Sequence, residues 1–418
     1  MQSPADGLPI AADDVWLVEP DELDESGPDD IDESEPDEHE ELSADDVSDV
    51  LLYTLDWSVQ SLLERIGTTL DINPAFQRRD AWATERKSKY IESLMLGLPV
   101  PQVVLAEDNT RKGQFIVIDG KQRLVTMKQF AAPNEHFPAL RLRRMEFLSQ
   151  LNGMTFDDVR SALGGDDYAE NLLAQPVRTI VVRNWRKPAV LYQIFVRLNQ
   201  GSLPLSPQEL RQALFPGDFS RWINTRSATS DPIHRARRLR SEDFRMRDAE
   251  MLLRAVGFQD RLEEYAGNLR AFLDETCERG NAGWGARKDH FEDLARRCES
   301  GIERAETVFG RDAFLRYVPE RYIRRFNIAV FDVMSLVLAS DELSDEEVTE
   351  YASEIKQGFE FLCRERPEFQ DALKSTTKTV RATATRIMMF AQMVTERTGI
   401  QLAVVNRAAA LAATVEDD

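Results

Sequence analysis

The chain has 418 residues, 42% hydrophobic and 30% charged, which suits two or three soluble domains with ample core. Its formal charge of −21 belongs to one end: residues 1–50 hold 20 of the 73 acidic residues and no Lys or Arg, leaving 53 acids against 52 bases elsewhere. Three widely spaced cysteines without a CxxC pair exclude a disulfide framework and a zinc cluster, and the longest apolar stretch, IAVFDVMSLVLA, is short and broken by Asp332. Together with an N-terminus unlike a signal peptide, these features predict a cytoplasmic protein in a reducing compartment that does not engage a membrane.

Residues 1–50, with DELDESGPDDIDESEPDEHEEL at their centre, repel one another and offer little apolar surface to bury, which predicts a disordered acidic tail. Such a tail either keeps the chain soluble or competes with phosphate-bearing ligands for basic sites on the body. DWSVQSLLERI then reads as a short helix leading into DINPAFQRRDAW. A second helix follows, with Thr84 as its cap, Ile91, Leu94, Met95 and Leu98 on one apolar face, and Gly97 with Pro99 as its stop. QVVLA at 102–106, FIVI at 115–118 and VRTIVV at 177–182 read as strands.

The expected fold class is α+β, with a small mixed-sheet domain over 52–215, a helical domain over 216–400 and a C-terminal tail over 401–418. The helical region is read from DAEMLLRAVGF, LRAFLDETCE, DHFEDLARRCESGIERAETVF, RRFNIAVFDVMSLVLA, VTEYASEIKQGFEFLCRE and TVRATATRIMMFAQMVTERTG, with no fixed-period repeat.

The stretch FIVIDGKQRLVTM carries the chemistry. A strand ending at Ile118, a tight Asp119-Gly120 turn and a helix starting at Lys121 bring free backbone N–H groups and a positive helix end together, and Lys121 and Arg123 add two cations. That is the geometry of an anion site, and Asp119 beside it suggests a ligand bridged by magnesium or held through a hydroxyl. The same turn also fits a loop with solvated cations, and the chain contains no GxxxxGK[ST] loop.

Upstream, PAFQRRDAW sets Gln77, Arg78 and Arg79 between two aromatics, and planar guanidiniums bind phosphate in bidentate fashion. Downstream, FVRLNQGSLPLSPQELRQALF places Asn199, Gln200 and Gly201 in a turn, with Ser206 and Glu209 as cap and third residue of the next helix. HRARRLRSEDFRMRDAE supplies a basic cluster, including Arg235, Arg237, Arg238 and Arg240. This cluster reads either as a nucleic-acid contact or as an Arg–acid lattice with Glu242, Asp243 and Asp248.

FQRRDAW, LMLGLPVPQVVL, VIDGKQRLVTM and FVRLNQGSLPLSPQELRQAL, in that order, resemble the motifs of the domain of unknown function 262 family. That family is known from the N-terminal halves of GmrSD-type restriction enzymes and is similar in fold to ParB and sulfiredoxin. RMRDAEMLLRAVGF and RRFNIAVFDVMSLV extend the resemblance to about residue 340.

The resemblance implies a prokaryotic restriction or antiviral defence role, with a nucleoside triphosphate bound at a DGQQR turn and in several members hydrolysed. Carried over, Asp119, Gly120, Gln122 and Arg123 match the hallmark, and Gln77 with Arg78 match the upstream QR. Asn199 joins the nucleotide-binding set, and Asp119 is the candidate catalytic and magnesium-directing residue. Lys121 stands where the family has Gln, which keeps phosphate affinity but puts the positioning of a hydrolytic water in doubt. The four histidines, His39, His136, His234 and His290, form no His-Asn-His nuclease motif, so DNA cutting would need a separate effector partner. DNA is the other expected partner, and a non-catalytic DNA- or protein-binding adaptor is the alternative.

Overall fold

The computed structural model describes residues 43–72, 82–109, 111–162, 164–198, 206–239, 242–243, 245–374 and 379–414. In chain order the first region comprises α1 (Ala44–Ser48), β1 (Leu51–Ser58), α2 (Val59–Arg65), β2 (Leu70–Asp71), α3 (Thr84–Met95), β3 (Val103–Glu107), β4 (Phe115–Asp119), α4 (Lys121–Ala131), α5 (Phe156–Ser161), α6 (Gly165–Ala174), β5 (Pro176–Arg183), α7 (Pro188–Leu198) and α8 (Pro207–Leu214). The strands form one mixed sheet in the order β1-β5-β3-β4-β2. β5 runs antiparallel to β1 and parallel to β3, while β4 runs antiparallel to β3 and parallel to β2.

Alternation along the strands gives the sheet two covered faces. Val103, Leu105, Val117 and Val177 point into a core with Leu62, Ile91, Leu94, Leu124, Met127 and Leu172 of the surrounding helices. Val104, Ala106, Ile118 and Val182 point the other way, against Leu191, Tyr192 and Leu210.

Several elements differ from the sequence expectation. DWSVQSLLERI is not one helix: its first residues end β1, Ser58 caps α2 by accepting from the Ser61 N–H, and the helix begins at Val59. Thr84 is the first residue of α3 rather than its cap, and Leu98 lies beyond the helix, 42% exposed. Ser43–Ser48, inside the stretch expected to be disordered, form a capped turn of helix. Residues 1–42 of the acidic stretch lie outside the described residues.

The second region is built of α9 (Asp218–Ala228), α10 (Asp231–Arg237), α11 (Arg247–Arg261), α12 (Leu269–Phe309), α13 (Ile328–Val337), α14 (Asp345–Glu350), α15 (Ala352–Glu365), α16 (Pro367–Lys374), α17 (Val380–Thr398) and α18 (Ala403–Ala413). They share one core centred on the wholly buried α13. An antiparallel hairpin of β6 (Leu315–Val318) and β7 (Arg321–Phe326) sits before α13, and its last residues, Arg324–Phe326, fall in the segment that the sequence reads as the start of a helix. α18 occupies the expected C-terminal tail and packs Val404, Ala408 and Leu411 into the core.

The two regions meet through polar groups. Arg211 of α8, fully buried, donates from Nε to Asp274 Oδ1 of α12 at 2.7 Å, and the Tyr192 hydroxyl reaches the same oxygen at 3.3 Å.

Candidate functional site at the Asp119–Arg123 turn

β4 ends at Asp119, Gly120 carries φ +99°, and α4 starts at Lys121. Only glycine adopts that backbone cheaply, and here space demands it as well. A Cβ on Gly120 would lie 2.8 Å from Arg123 Nη1 and 3.1 Å from Val103 Cγ2. Gly120 offers no side chain to cap the helix, so no side-chain group occupies the N-terminal N–H donors of α4 from that position. The ladder with β3 slips between Val104 and Leu105, and Val104 pairs with Asp119, so an irregularity sets the angle at which the carboxylate leaves the sheet.

The cations of the turn are brought inward. Arg123 is 7% exposed; its Nη1 donates to the Gln102 carbonyl at 2.6 Å, and Nη1 and Nη2 donate to Asp119 Oδ2 at 3.3 and 3.2 Å. Lys121 is 6% exposed and its Nζ lies 3.1 Å from Glu209 Oε1. Glu209 also closes the capping box of α8, accepting from the Ser206 N–H at 2.8 Å while its own N–H donates to Ser206 Oγ at 3.1 Å. The sequence identifies Glu209 as a cap. Its second role, as the countercharge of Lys121 across 88 residues, has no local signal.

Behind the turn lies Tyr90 of α3. Its ring meets Trp82 edge-on at 5.7 Å, and its buried hydroxyl has no hydrogen-bond partner among the described residues. Burial pushes the phenol well above its ordinary range, and the Arg123 charge opposes this only in part, so Tyr90 stays a neutral donor.

Asp119, Gly120, Lys121, Gln122 and Arg123 are therefore together, with Glu209 added. Gln77, Arg78, Arg79 and Asn199 lie outside the described residues, as does Arg240. The other arginines of the basic cluster are engaged internally. Arg235 donates to Glu306 at 3.1 Å and Glu303 at 3.4 Å, and the Glu306 hydrogen bond raises its pKa. Arg237 lies 4.5 Å above the Phe326 ring, and Arg238 donates to the Arg311 carbonyl at 3.2 Å. Burial would raise Asp243, but the charge and hydrogen bond of Arg247 prevail and hold its carboxyl below the usual range. Among the described residues no group of three or more His, Cys, Asp or Glu side chains is placed to hold a metal, and no helix is long and apolar enough to cross a membrane.

A mixed sheet flanked by helices, with a left-handed glycine and two buried cations where a strand meets a helix, defines an α+β domain. Residues 59–216 match the family described as GmrSD restriction endonuclease, N-terminal domain. No curated protein and no solved structure matches the chain.

Proposed function

We propose that this chain is a component of a prokaryotic restriction or antiviral defence system that binds a nucleoside triphosphate at the Asp119–Arg123 turn. The observation that carries the reading is the pairing of each cation with a carboxylate from a different element: Lys121 with Glu209 of α8, and Arg123 with Asp119 at the end of β4. A carboxylate beside a lysine or guanidinium occupies the position a phosphate oxygen would take. Phosphate would exchange with Glu209 and Asp119 at the positive end of α4. Gln77, Arg78, Arg79 and Asn199 complete the proposed nucleotide contacts by sequence.

Asp119, once released from Arg123, is a single carboxylate of the kind magnesium uses alongside phosphate oxygens. Bound magnesium would neutralise phosphate charge. Hydrolysis, if it occurs, has Asp119 as its candidate for orienting water. Because Glu209 also caps α8, and α8 holds α12 through Arg211 and Asp274, loss of the Lys121 pair offers a route from ligand to the helical region. DNA is the proposed partner of the assembly, with Arg235, Arg237, Arg238 and Arg240 as candidate contacts and a separate effector supplying any cleavage.

The test is thermal unfolding with and without triphosphate and magnesium. A ligand that binds only the folded state at about a hundred times its Kd adds about 2.7 kcal/mol of apparent stability. The reading expects that shift in the natural chain and its loss in the Arg78→Ala, Arg123→Ala double variant; an unchanged shift in the variant overturns the site.

A second reading is a non-catalytic adaptor in which the turn is structural. It is favoured by the burial of both cations against their partners. Salt-sensitive DNA binding with no response to any triphosphate would decide for it.

A further inference from the structure

Many arginines of the helical region are bound to acids: Arg226 to Glu299, Arg247 to Asp243, Arg254 to Asp332 and Arg304 to Asp345. The β6–β7 hairpin departs from that pattern. Residues 311–326, RDAFLRYVPERYIRRF, hold five arginines and two acids. One of those acids, Asp312, already takes Arg324 at 2.6 Å and Lys356 at 3.1 Å. The other, Glu320, stands with Pro319 in the turn between the strands. Arg311 and Arg321 are exposed, and neither has an acid partner among the described residues.

The hairpin has an inner and an outer face. Tyr317 and Tyr322 pair across the strands with ring centroids 5.0 Å apart, and the Tyr322 hydroxyl donates to Glu360 of α15 at 2.9 Å, so this face is turned onto the helical region. Alternation along β7 puts Arg321, Ile323 and Arg325 on the other face. The surface continues into the end of α10. Arg238 is exposed and donates to the Arg311 carbonyl at 3.2 Å, a contact that fixes the guanidinium without neutralising its charge. Arg235 differs, since Glu303 and Glu306 neutralise it.

We propose that the outer face of this hairpin, with Arg238 and Arg311 beside it, contacts the phosphate backbone of double-stranded DNA. The inference rests on the DNA partner of the proposed function and is independent of the triphosphate site. Charge selects the occupant: guanidiniums without acids, gathered on one surface, gain most from a polyanion, and they meet phosphate through paired hydrogen bonds. Shape selects the duplex. A major groove about 12 Å wide admits a two-stranded ribbon, and the strand rise sets Arg321 and Arg325 about 14 Å apart, enough to reach phosphates on both walls of the groove.

Fluorescence anisotropy of the full chain on a labelled duplex, over a range of salt concentrations, tests the proposal. The natural chain should bind with an affinity that falls as salt rises. Arg311→Gln with Arg321→Gln should weaken binding about tenfold and lower the slope of log affinity against log salt by about two, one for each lost phosphate contact. Arg296→Gln with Arg297→Gln removes the same charge from arginines held by Asp293 on α12 and should change neither quantity. Circular dichroism and the melting temperature establish that each variant remains folded.

A hairpin variant with natural affinity and slope, or an equal loss in both double variants, overturns the hairpin as the contact and leaves the DNA partner standing. A natural chain that binds no duplex at any salt concentration overturns both, and would make the acidic residues 1–42 the polyanion for this surface. Tighter binding to single-stranded RNA of the same length overturns the choice of duplex DNA.

Discussion

Two buried clusters of charge invite comparison, one at the Asp119–Arg123 turn and one in the helical core. In the core, Arg254 and Asp332 are both essentially inaccessible, and Arg254 Nε donates to Asp332 Oδ1 at 3.0 Å within a two-point contact. Arg386 lies close enough to feel both charges. Burial pulls its pKa down to about 10, with Asp332 opposing, and it donates to the Ala372 carbonyl and the Thr383 hydroxyl. These groups sit in the middle of helices, where backbone donors are already used. At the turn the carboxylates come from the end of a strand and from a separate helix, and the neighbouring backbone is the start of α4. Burial of charge is common to both clusters; carboxylates drawn from two separate elements to the start of a helix belong to the turn.

The largest effect should come from breaking the core cluster. Asp332→Ala takes the nearer carboxylate from Arg254, with Glu250 at 3.5 Å, and strips Arg386 of its nearby anion. Removing one partner of a buried pair costs about 3–5 kcal/mol. Urea unfolding should show that loss without any change in triphosphate response. Replacing the pair together, as Arg254→Met with Asp332→Leu, should recover most of it. A single variant no less stable than the natural chain would show that the core charges are as replaceable as those of the turn.

Glu209→Gln probes the other cluster with a smaller change. Glutamine can keep the capping box but leaves Lys121 without its acid. Stability should fall by about 1–2 kcal/mol. Triphosphate affinity should rise, because phosphate no longer displaces a carboxylate. Isothermal titration measures the second quantity, and a fall in affinity would mean that Glu209 helps the ligand instead of competing with it.

The difference between the clusters was legible only in part. The strand–turn–helix at Asp119 is a local pattern, so β4, Gly120 and α4 could be read directly from FIVIDGKQRLVTM, and Ser206 with Glu209 from SPQE. The partners of the cations could not. Lys121 meets a residue 88 positions away, and Arg235 meets Glu303 and Glu306 on α12, where nothing in its own neighbourhood marks the contact.

β1 escaped for the same reason: it exists by pairing with β5, more than a hundred residues on, while YTLDWSVQSL runs without a break into a helix. α12 was read as two helices because GNAGWG looks like an interruption. Gly280 is there for close packing, since a Cβ would stand 2.5 Å from the Phe219 ring, and the helix passes through unbroken.

The smallest effect concerns Tyr90, and its sign matters more than its size. The hydroxyl is buried beside Arg123 with no partner among the described residues, so it costs the ligand-free protein desolvation. Tyr90→Phe keeps the ring and its edge-on contact with Trp82 and removes that cost, so the ligand-free chain should gain up to about 1 kcal/mol. If the hydroxyl completes its hydrogen bonding on a phosphate or sugar oxygen held by Arg123, the same variant should lose part of the triphosphate-induced shift. Melting curves with and without ligand would then move closer together. A hydroxyl that is merely a packing defect would raise both curves together, which would place Tyr90 with the structural charges of the helical core and not with the turn.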